Sequence, residues 1–427
     1  MLATLRNRNF ALVWLGGLVS FFGDWVLLIA LPVYVYDLTG STLATGGMFV
    51  AQTLPRLLFG SIAGVFVDRW DRRRTMLVAN LLCAAALLPL LLARSAGDLW
   101  LIYLAAFLQT ACSLFFQPAE TALVPQLVGE NHLLHANALI ALNWELTRLV
   151  APPLGGLIMV VLGIGSAVAV DAASFLLAAA LVALVAGAPR AAERQPRAGM
   201  WRAVWREQAE GLRLVRGDSL VAAVFAITAT AMVAEGIINV LGFPWLKQVL
   251  GGGALERGWL TSAQAVGGLL GGLLIGRVAR AARPVHLIGA SGVVLGLLSL
   301  AYVNVPALGI APELWLPAAI SLKLLMGVPI MGMFVSVDTL LQQNVADRYR
   351  GRVFGAYGAV SALAVLAGQV VASTLGDAVG IVSVLDGVGT MYCAAGLLAL
   401  WLLGQIAVFG PATRASRVPP AVATRSV

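Results

Sequence analysis

The chain has 427 residues, of which 60% are hydrophobic and 11% are charged, and its formal net charge is +8. Soluble domains carry about a quarter charged residues, so this composition excludes an ordinary soluble fold and indicates a protein embedded in a bilayer. The positive charge is scattered over short segments rather than gathered in a stripe, which excludes nucleic acid as a partner.

Twelve apolar runs are long enough to cross a bilayer, which takes about 20 helical residues. The first run follows Arg6 and Arg8, contains Asp24 and lacks a small-residue cleavage site, so we interpret it as an uncleaved span and not as a signal peptide. In chain order, the predicted spans are 10–36, 42–67, 75–93, 99–117, 137–162, 166–188, 219–246, 259–280, 285–303, 314–340, 353–376 and 382–410.

A charged segment with seven arginines and three glutamates, residues 190–218, separates six spans from the other six. We predict that it is a cytoplasmic linker, partly an amphipathic helix. The expected units are an N-terminal six-helix bundle (1–189), this linker, a C-terminal six-helix bundle (219–410) and a cytoplasmic tail (411–427). The predicted fold class is therefore an all-α membrane protein with two pseudo-symmetric bundles.

The basic residues predict the orientation. With the N-terminus inside, 22 of the 28 lysines and arginines lie in inner segments, and only Arg94, Lys247 and Arg257 lie in outer loops. The remaining three, Arg56, Arg148 and Lys323, lie within spans. Because inner loops are enriched in Lys and Arg, we expect both termini in the cytoplasm and the protein in the inner membrane of a bacterium.

Acidic residues of the first half recur in the second half at nearly constant shifts, which indicates an internal duplication. The matching pairs are Asp24 with Glu235, Glu120 with Asp338, and Asp171 with Asp386. Parallel repeats of six spans place a binding site between the halves in known transporters. We therefore look for the functional residues at the interface of the two predicted bundles.

The loop after the second span has the order Gly64-x-x-x-Asp68-Arg69-x-x-Arg72-Arg73. A positive loop is the default for any cytoplasmic turn, but this default does not explain Asp68. The pattern resembles the loop between helices two and three of major facilitator superfamily transporters. The resemblance implies that Asp68 stabilises one transport state by contacting the start of span eleven, and that spans one, four, seven and ten line the cavity. The family usually has glycine where this chain has Asp71.

In the fifth span, Pro152, Gly155 and Gly156 resemble the Gly-Pro-x-x-Gly-Gly motif of drug exporters, with Ala151 in place of the first glycine. In the family this motif accompanies antiporters that export. Further stretches resemble the third drug:proton antiporter group, which includes macrolide efflux proteins and the enterobactin exporter. They are Arg6-Asn7-Arg8-Asn9-Phe10, Gly23-Asp24-Trp25, Leu38-Thr39-Gly40-Ser41, Ala136-Asn137-Ala138-Leu139 and Gly351-Arg352-Val353-Phe354.

Charged residues within the spans are the candidates for proton coupling or substrate contact, because burying them in a membrane is costly. Asp24 and Glu235 are the first candidates, with a structural ion pair as the alternative for each, and Arg56 is a possible partner of Asp24. Lys323 is expected to interact electrostatically with Glu235 or Asp338 across the cavity, or to contact an anionic substrate. Gln109 is either a cavity hydrogen-bonder or a packing residue.

Arg148 shares a helix face with Glu145. A local ion pair is expected for Glu145, while the role of Arg148 stays open. Glu120 and Asp338 lie near inner ends, where we expect solvent. His132 and His135 lack further ligands, so no metal site is predicted, and no catalytic or nucleotide-binding motif is present.

We therefore expect a transporter without a cofactor, not an enzyme. The hypothesis is a secondary active exporter of small amphipathic or hydrophobic molecules, driven by the proton gradient and working as a monomer. Two alternatives remain: a lipid or lysolipid transporter, favoured by an apolar lateral opening, and a transport-incompetent scaffold or sensor, favoured by ion pairs on every cavity acid.

Overall fold

The computed structural model describes residues 2–67, 70–186, 210–278 and 283–408. The first bundle contains α1 (Arg8–Thr39), α2 (Thr42–Val67), α3 (Arg72–Ala86), α4 (Leu99–Ser113 and Phe116–Val128), α5 (133–162) and α6 (164–183). The second contains α7 (Ser219–Leu250), α8 (Ala254–Val278), α9 (Pro284–Val303), α10 (Trp315–Asn344), α11 (Asp347–Val379) and α12 (Ile381–Val408). These elements confirm the predicted all-α fold.

The helices α5 and α6 form one continuous helical stretch that reverses at Gly163, whose φ of 76° and ψ of 177° are non-helical. Glycine adopts such angles at little cost because it lacks a Cβ. Trp14 Nε1 donates to Leu139 O on α5 (2.8 Å), and a methyl group on Gly16 would contact the backbone of Ala178 on α6 (3.6 Å). Both ends of the stretch therefore meet the same end of α1, so α5 and α6 are separate antiparallel spans.

The duplication is visible in how the first helix of each bundle ends. Gly40 terminates α1 and Gly251 terminates α7, both in the left-handed conformation with φ of 64° and 65°. Left-handed glycines are common helix terminators because they turn the chain without a Cβ clash. Each bundle thus leaves its first helix at an equivalent point.

Most predicted span boundaries lie within a few residues of the helices, but the fourth does not. The prediction ends at residue 117, whereas α4 breaks after Ser113 and resumes from Phe116 to Val128. Since α4 extends beyond the predicted span, Glu120 lies on a packed helix. The boundaries of the linker at 190 and 218 stay a prediction, because 187–209 lie outside the described residues.

The position of each residue along its helix defines two sides of the molecule. We call the side where α1 begins the proximal side and the opposite side, where α1 ends, the distal side. By the charge bias of the sequence, the proximal side is the expected cytoplasmic side. Many large leucines and valines, such as Leu273 and Leu297, are exposed on the helices, as expected for surfaces that contact lipid.

Candidate functional site

The two bundles are joined on the distal side. Four hydrogen bonds cross between described residues of the two halves, and all of them lie in the distal halves of their helices. They are Lys247 to Asp37, Gln248 Nε2 to Tyr36 Oη (2.7 Å), Ser262 Oγ to Leu149 O (2.6 Å), and Gln369 Nε2 to Thr53 Oγ1 (2.9 Å). Because the bonds cluster on one side, the two bundles are held together distally in this conformation.

Close backbone contact between α5 and α8 reinforces this distal closure. A methyl group on Gly156 would lie 2.8 Å from Leu255 Cα, and one on Gly258 would lie 2.8 Å from Pro153 Cα. Gly155 is packed in the same way against Val26 of α1, at 2.8 Å from its Cα. The three predicted motif residues, Pro152, Gly155 and Gly156, are all buried. Small residues at these points let the helices approach closely.

In the first bundle, Asp24 lies halfway along α1, near its predicted partner Arg56 and a second candidate residue, Gln109. Gln109 Nε2 donates to Asp24 Oδ1 (2.7 Å), so Gln109 is a hydrogen-bonder here and not merely a packing residue. Arg56 lies near enough for Coulombic attraction to Asp24, but within the described chain the two form no ion pair within 4 Å. Arg56 itself is an exposed residue of α2.

A second acid, Asp171 of α6, lies behind Asp24 with no exposed surface. A methyl group on Gly23 would be 2.5 Å from Asp171 Oδ1, so this carboxyl packs directly against α1. Ser174 Oγ is 3.5 Å from Oδ1, and Oδ2 has no hydrogen-bond partner among the described residues. Its repeat partner, Asp386, accepts a bond from Asn304 Nδ2 (2.6 Å). The duplication was the only sequence signal for these two acids, of which Asp171 is buried and Asp386 is partly buried.

Glu120 corrects an expectation, because it is only 2% exposed rather than solvated. A methyl group on Gly17 would lie 3.3 Å from Glu120 Oε1 and 3.6 Å from Asn143 Nδ2. Glu120 Oε1 and Asn143 Oδ1 both lack hydrogen-bond partners in the described part of the chain. A buried carboxyl without a partner is costly when charged. The predicted fourth span ended at residue 117, before Glu120. Because α4 continues to Val128, Glu120 lies inside the bundle.

In the second bundle, Lys323 of α10 is the centre of a polar cluster. Its Nζ donates to Gln264 Oε1 of α8 (3.0 Å) and lies 5.0 Å from the ring centroid of Tyr302. Its charged neighbours are Glu235, Arg257 and Arg148. Lys323 lies near enough to Glu235 for Coulombic attraction, but no oxygen of Glu235 lies within 4 Å of a described cation. Its role as a partner of Glu235 stays a prediction.

The two bundles carry the same three chemical groups in a permuted arrangement. The first half has an acid on α1, a cation on α2 and a glutamine on α4. The second half has an acid on α7, a glutamine on α8 and a cation on α10. The glutamine hydrogen-bonds the acid in the first half (Gln109 to Asp24) and the cation in the second (Lys323 to Gln264). The duplicated sites therefore differ in which charged group the glutamine contacts.

Arg257 corrects the assignment of basic residues to outer loops. It lies in the first turn of α8, with its guanidinium carbon 5.8 Å from the ring centroid of Phe243. Its Nη1 is buried and has no hydrogen-bond partner among the described residues. The predicted eighth span began at residue 259, so the sequence boundary excluded a residue that the helix includes.

The other predicted site residues have local surroundings. Asp338 Oδ2 accepts from Gln342 Nε2 on the same helix (2.7 Å). Glu145 and Arg148 do not form the expected ion pair in the described structure. Arg148 precedes Leu149, whose carbonyl accepts the bond from Ser262. It therefore lies beside the contact between the two bundles.

The charged loop is described only in part. Asp68 and Arg69 lie outside the described residues, so the contact of Asp68 with α11 stays a prediction. Asp71 is the N-cap of α3 and accepts from the Arg74 backbone N–H (2.8 Å). Such a cap satisfies an otherwise unpaired N–H of the first helical turn, which explains an acid where the family usually has glycine.

The arginines of this loop follow α2, whose last turn contains Gly64, and three of them begin α3. Arg72 is the first residue of α3, and Arg73 donates from Nε to Val182 O (3.1 Å) and from Nη2 to Ala183 O. A cation is favourable at the carbonyl end of a helix. Arg73 thereby fastens the loop to the proximal end of α6.

Twelve spans in two duplicated bundles, closed on one side around a polar interior, define a membrane transporter. The sequence profile of the Major Facilitator Superfamily matches residues 13–369, and the chain belongs to this family. The members of this family are membrane transporters, which agrees with the predicted class of protein.

Relatives and solved structures agree with this assignment. The chain is 26% identical to macrolide efflux protein A of Streptococcus pyogenes over 377 residues, covering 87% of this chain and 90% of the relative. It is 28% identical to the multidrug efflux pump Tap of Mycolicibacterium fortuitum (94% and 96% covered) and 26% identical to the enterobactin exporter EntS of Shigella boydii (90% and 85%). The fold is similar to a bacterial homologue of the iron transporter ferroportin in its inward-facing state, with TM-score 0.71, 16% identity and coverage of 93% and 98%.

Proposed function

We propose that the protein is a secondary active exporter that moves small amphipathic molecules out of the cell by alternating access, driven by proton antiport. The observation that supports this most is the pair of half-sites, centred on Asp24 and Glu235, at equivalent depths of the first helices of the two bundles. Repeated halves around a central site are the arrangement with which such transporters alternate their access. Relatives named as efflux proteins support the direction of export.

Proton coupling requires carboxyl groups that can gain and lose a proton during the cycle. Neither Asp24 nor Glu235 is held in an ion pair within 4 Å among the described residues. Glu120 joins them as a third candidate, because it is buried and its Oε1 has no hydrogen-bond partner among the described residues. This state of the cavity acids counts against the scaffold alternative, which expected an ion pair on each of them.

The substrate must be found before coupling can be measured. A susceptibility panel in a host that lacks its own efflux pumps, with a macrolide, ethidium and an anionic dye, identifies compounds that the protein exports. Wild type is expected to lower the accumulation of at least one of them. No effect on any compound, combined with uptake of labelled lysolipid into cells, would favour the lipid-transporter alternative.

Coupling is then measured in proteoliposomes with the exported compound and a trapped pH-sensitive dye. We expect substrate-dependent proton flux in wild type and its loss in Asp24→Asn and Glu235→Gln. The matched control is Asp377→Asn, which alters an exposed carboxylate on the distal end of α11. If both variants move protons and substrate at the wild-type rate, these two carboxylates do not couple transport.

A further inference from the structure

The C-terminal half-site holds more positive than negative charge. Lys323 has three charged neighbours, of which Arg148 and Arg257 are cations and only Glu235 is an acid. The cluster of Arg148, Arg257, Lys323 and Glu235 thus carries two excess positive charges. Like charges that lie close together repel one another, and the repulsion grows as water is excluded. A negatively charged group among these cations would offset that repulsion.

The hydrogen bonds of these cations leave donors unused. Lys323 donates one N–H to Gln264, which is a neutral partner, although its ammonium group has three N–H donors. Arg257 Nη1 is buried and has no hydrogen-bond partner in the described chain. Buried donors are nearly always satisfied in native proteins, and an unsatisfied one calls for an explanation. An absent ligand that accepts hydrogen bonds explains both residues.

The three cations come from both bundles and meet where α5 packs on α8. Ser262 of α8 donates to Leu149 O, the residue after Arg148. On α8, Arg257 and Gln264 lie on either side of Ser262, and Gln264 holds Lys323 of α10. A ligand at this place touches both halves of the transporter, as expected for a site whose access alternates.

The walls beside the cations are apolar and aromatic. Tyr302 lies under Lys323, and Phe243 lies beside Arg257, with distances of 5.0 and 5.8 Å to the ring centroids. A small cavity next to Lys323 is lined by Ile238, Met326 and Leu385, together with further residues of α7 and α9. The surroundings suit a ligand that combines an anionic group with an apolar or aromatic body.

We propose that Arg148, Arg257 and Lys323 bind the anionic group of an acidic amphipathic substrate. This narrows the substrate class of the proposed exporter and rests on that function. A carboxylate, sulfonate or phosphate accepts from the free N–H groups of Arg257 and Lys323 and offsets the excess charge. A lipophilic cation would instead add to the repulsion and is disfavoured.

The test uses a matched set of fluorescent probes that differ only in their head group: 1-pyrenebutyrate, 1-pyrenebutanol and 1-pyrenebutylamine. Binding to the purified full chain in detergent is measured by fluorescence anisotropy. We expect the butyrate to bind at least about tenfold more tightly than the other two. Lys323→Gln and Arg257→Gln should each weaken the butyrate about tenfold and leave the butanol unchanged.

Two further variants keep the test decisive. Arg94→Gln removes an exposed cation in the loop between α3 and α4, outside the cluster, and should bind all three probes as wild type does. Lys323→Arg keeps the charge and should retain the preference for butyrate, which separates a role of the charge from a general loss of structure. Equal affinity for the three probes, or tighter binding of the amine, overturns the proposal.

Competition distinguishes the source of the anionic group. In nanodiscs, displacement of pyrenebutyrate by phosphatidylglycerol but not by phosphatidylcholine shows that the cations accept a lipid head group. Displacement by soluble benzoate at equal lipid composition shows that they accept a free solute. Either result supports the anion site, whereas displacement by neither, together with unchanged affinity in Lys323→Gln, contradicts it.

Transport separates this inference from the proposed function. If wild-type vesicles export pyrenebutanol and pyrenebutyrate equally, the exporter stands and the anion site fails. If pyrenebutyrate binds tightly, loses affinity in Lys323→Gln, and yet no probe and no drug is exported, the site stands and the exporter fails.

Discussion

The contact between α5 and α8 allows a quantitative test of how the distal side closes. Replacing Gly258 by alanine adds one methyl group where the backbone of α5 passes. This methyl would lie 2.8 Å from the carbonyl carbon of Pro152 and 2.8 Å from Cα of Pro153. Both neighbours are backbone atoms, so neither can rotate away, and the helices must separate.

The expected size of the effect follows from the overlap. Carbon atoms in contact normally lie about 3.5–4.0 Å apart, so α8 must retreat by roughly 1 Å or bear the strain. Overpacking of this kind typically costs about 1–3 kcal/mol. The cost falls only on the conformation in which the two bundles touch distally. The ratio of distal-open to distal-closed molecules should therefore rise by roughly 5- to 150-fold.

The assay measures the distance between spin labels across the distal side. Labels are attached at Leu43→Cys on α2 and Val379→Cys on α11, both exposed, after the three native cysteines have been replaced. Gly258→Ala should increase the population with a long distance. The control is Gly165→Ala on α6, where a methyl group would meet no atom within 4 Å.

Two results would contradict the prediction that Gly258→Ala opens the distal side. If Gly258→Ala leaves the distance distribution of wild type unchanged, the α5–α8 contact does not hold the distal side closed. If Gly165→Ala shifts the distribution as much, the effect belongs to glycine replacement in general and not to this contact.

Three further predictions concern single side chains and are read from apparent melting temperatures in detergent. Arg73→Ala removes the bonds to the last carbonyls of α6 and should lower the melting temperature by several degrees, at a cost of about 1–3 kcal/mol. The control is Arg74→Ala, whose exposed side chain makes no such bond in the described chain. An equal fall in both variants would contradict the prediction. Glu120→Gln should raise the melting temperature at pH 8, because a neutral amide avoids burying an unpaired carboxylate; a lower value at pH 8 would argue against an unpaired charge. Lys247→Ala should change it by less than about 2 °C, since its ion pair with Asp37 is nearly half exposed and worth at most about 1 kcal/mol; a larger fall would show that this pair carries the distal closure.

Much of the fold was predictable because the length and hydropathy of membrane helices are visible in the sequence. A run of about 20 apolar residues has no other stable structure in a bilayer, so span positions were predicted to within a few residues. The errors arose where a helix leaves the apolar core. Residues after 117 are less apolar, and the prediction ended there, although α4 continues to Val128. The same error at the start of α8 placed Arg257 in a loop.

Most residues of the candidate site were predicted, but the contacts between their side chains were not. Asp24, Gln109 and Lys323 stand out because polar groups are rare within apolar spans. Spacing along the chain cannot show that Gln109 bonds the acid in one half while Gln264 bonds the cation in the other. Nor can it show that Glu145 and Arg148, which share a helix face, fail to pair. Those outcomes depend on side chains of other helices that compete for the same polar group.

Twelve spans, a duplication and a Major Facilitator Superfamily pattern could be predicted from the amino-acid sequence, because hydropathy and internal repeats are properties of the chain alone. Which side is closed and which charges lie together became visible only in the folded arrangement of the helices. The distal contact between α5 and α8 depends on glycines. Their lack of a side chain matters only because the backbone of the other helix lies against them. The excess positive charge around Lys323 likewise exists only where Arg148, Arg257 and Glu235, distant in the chain, are brought to one place.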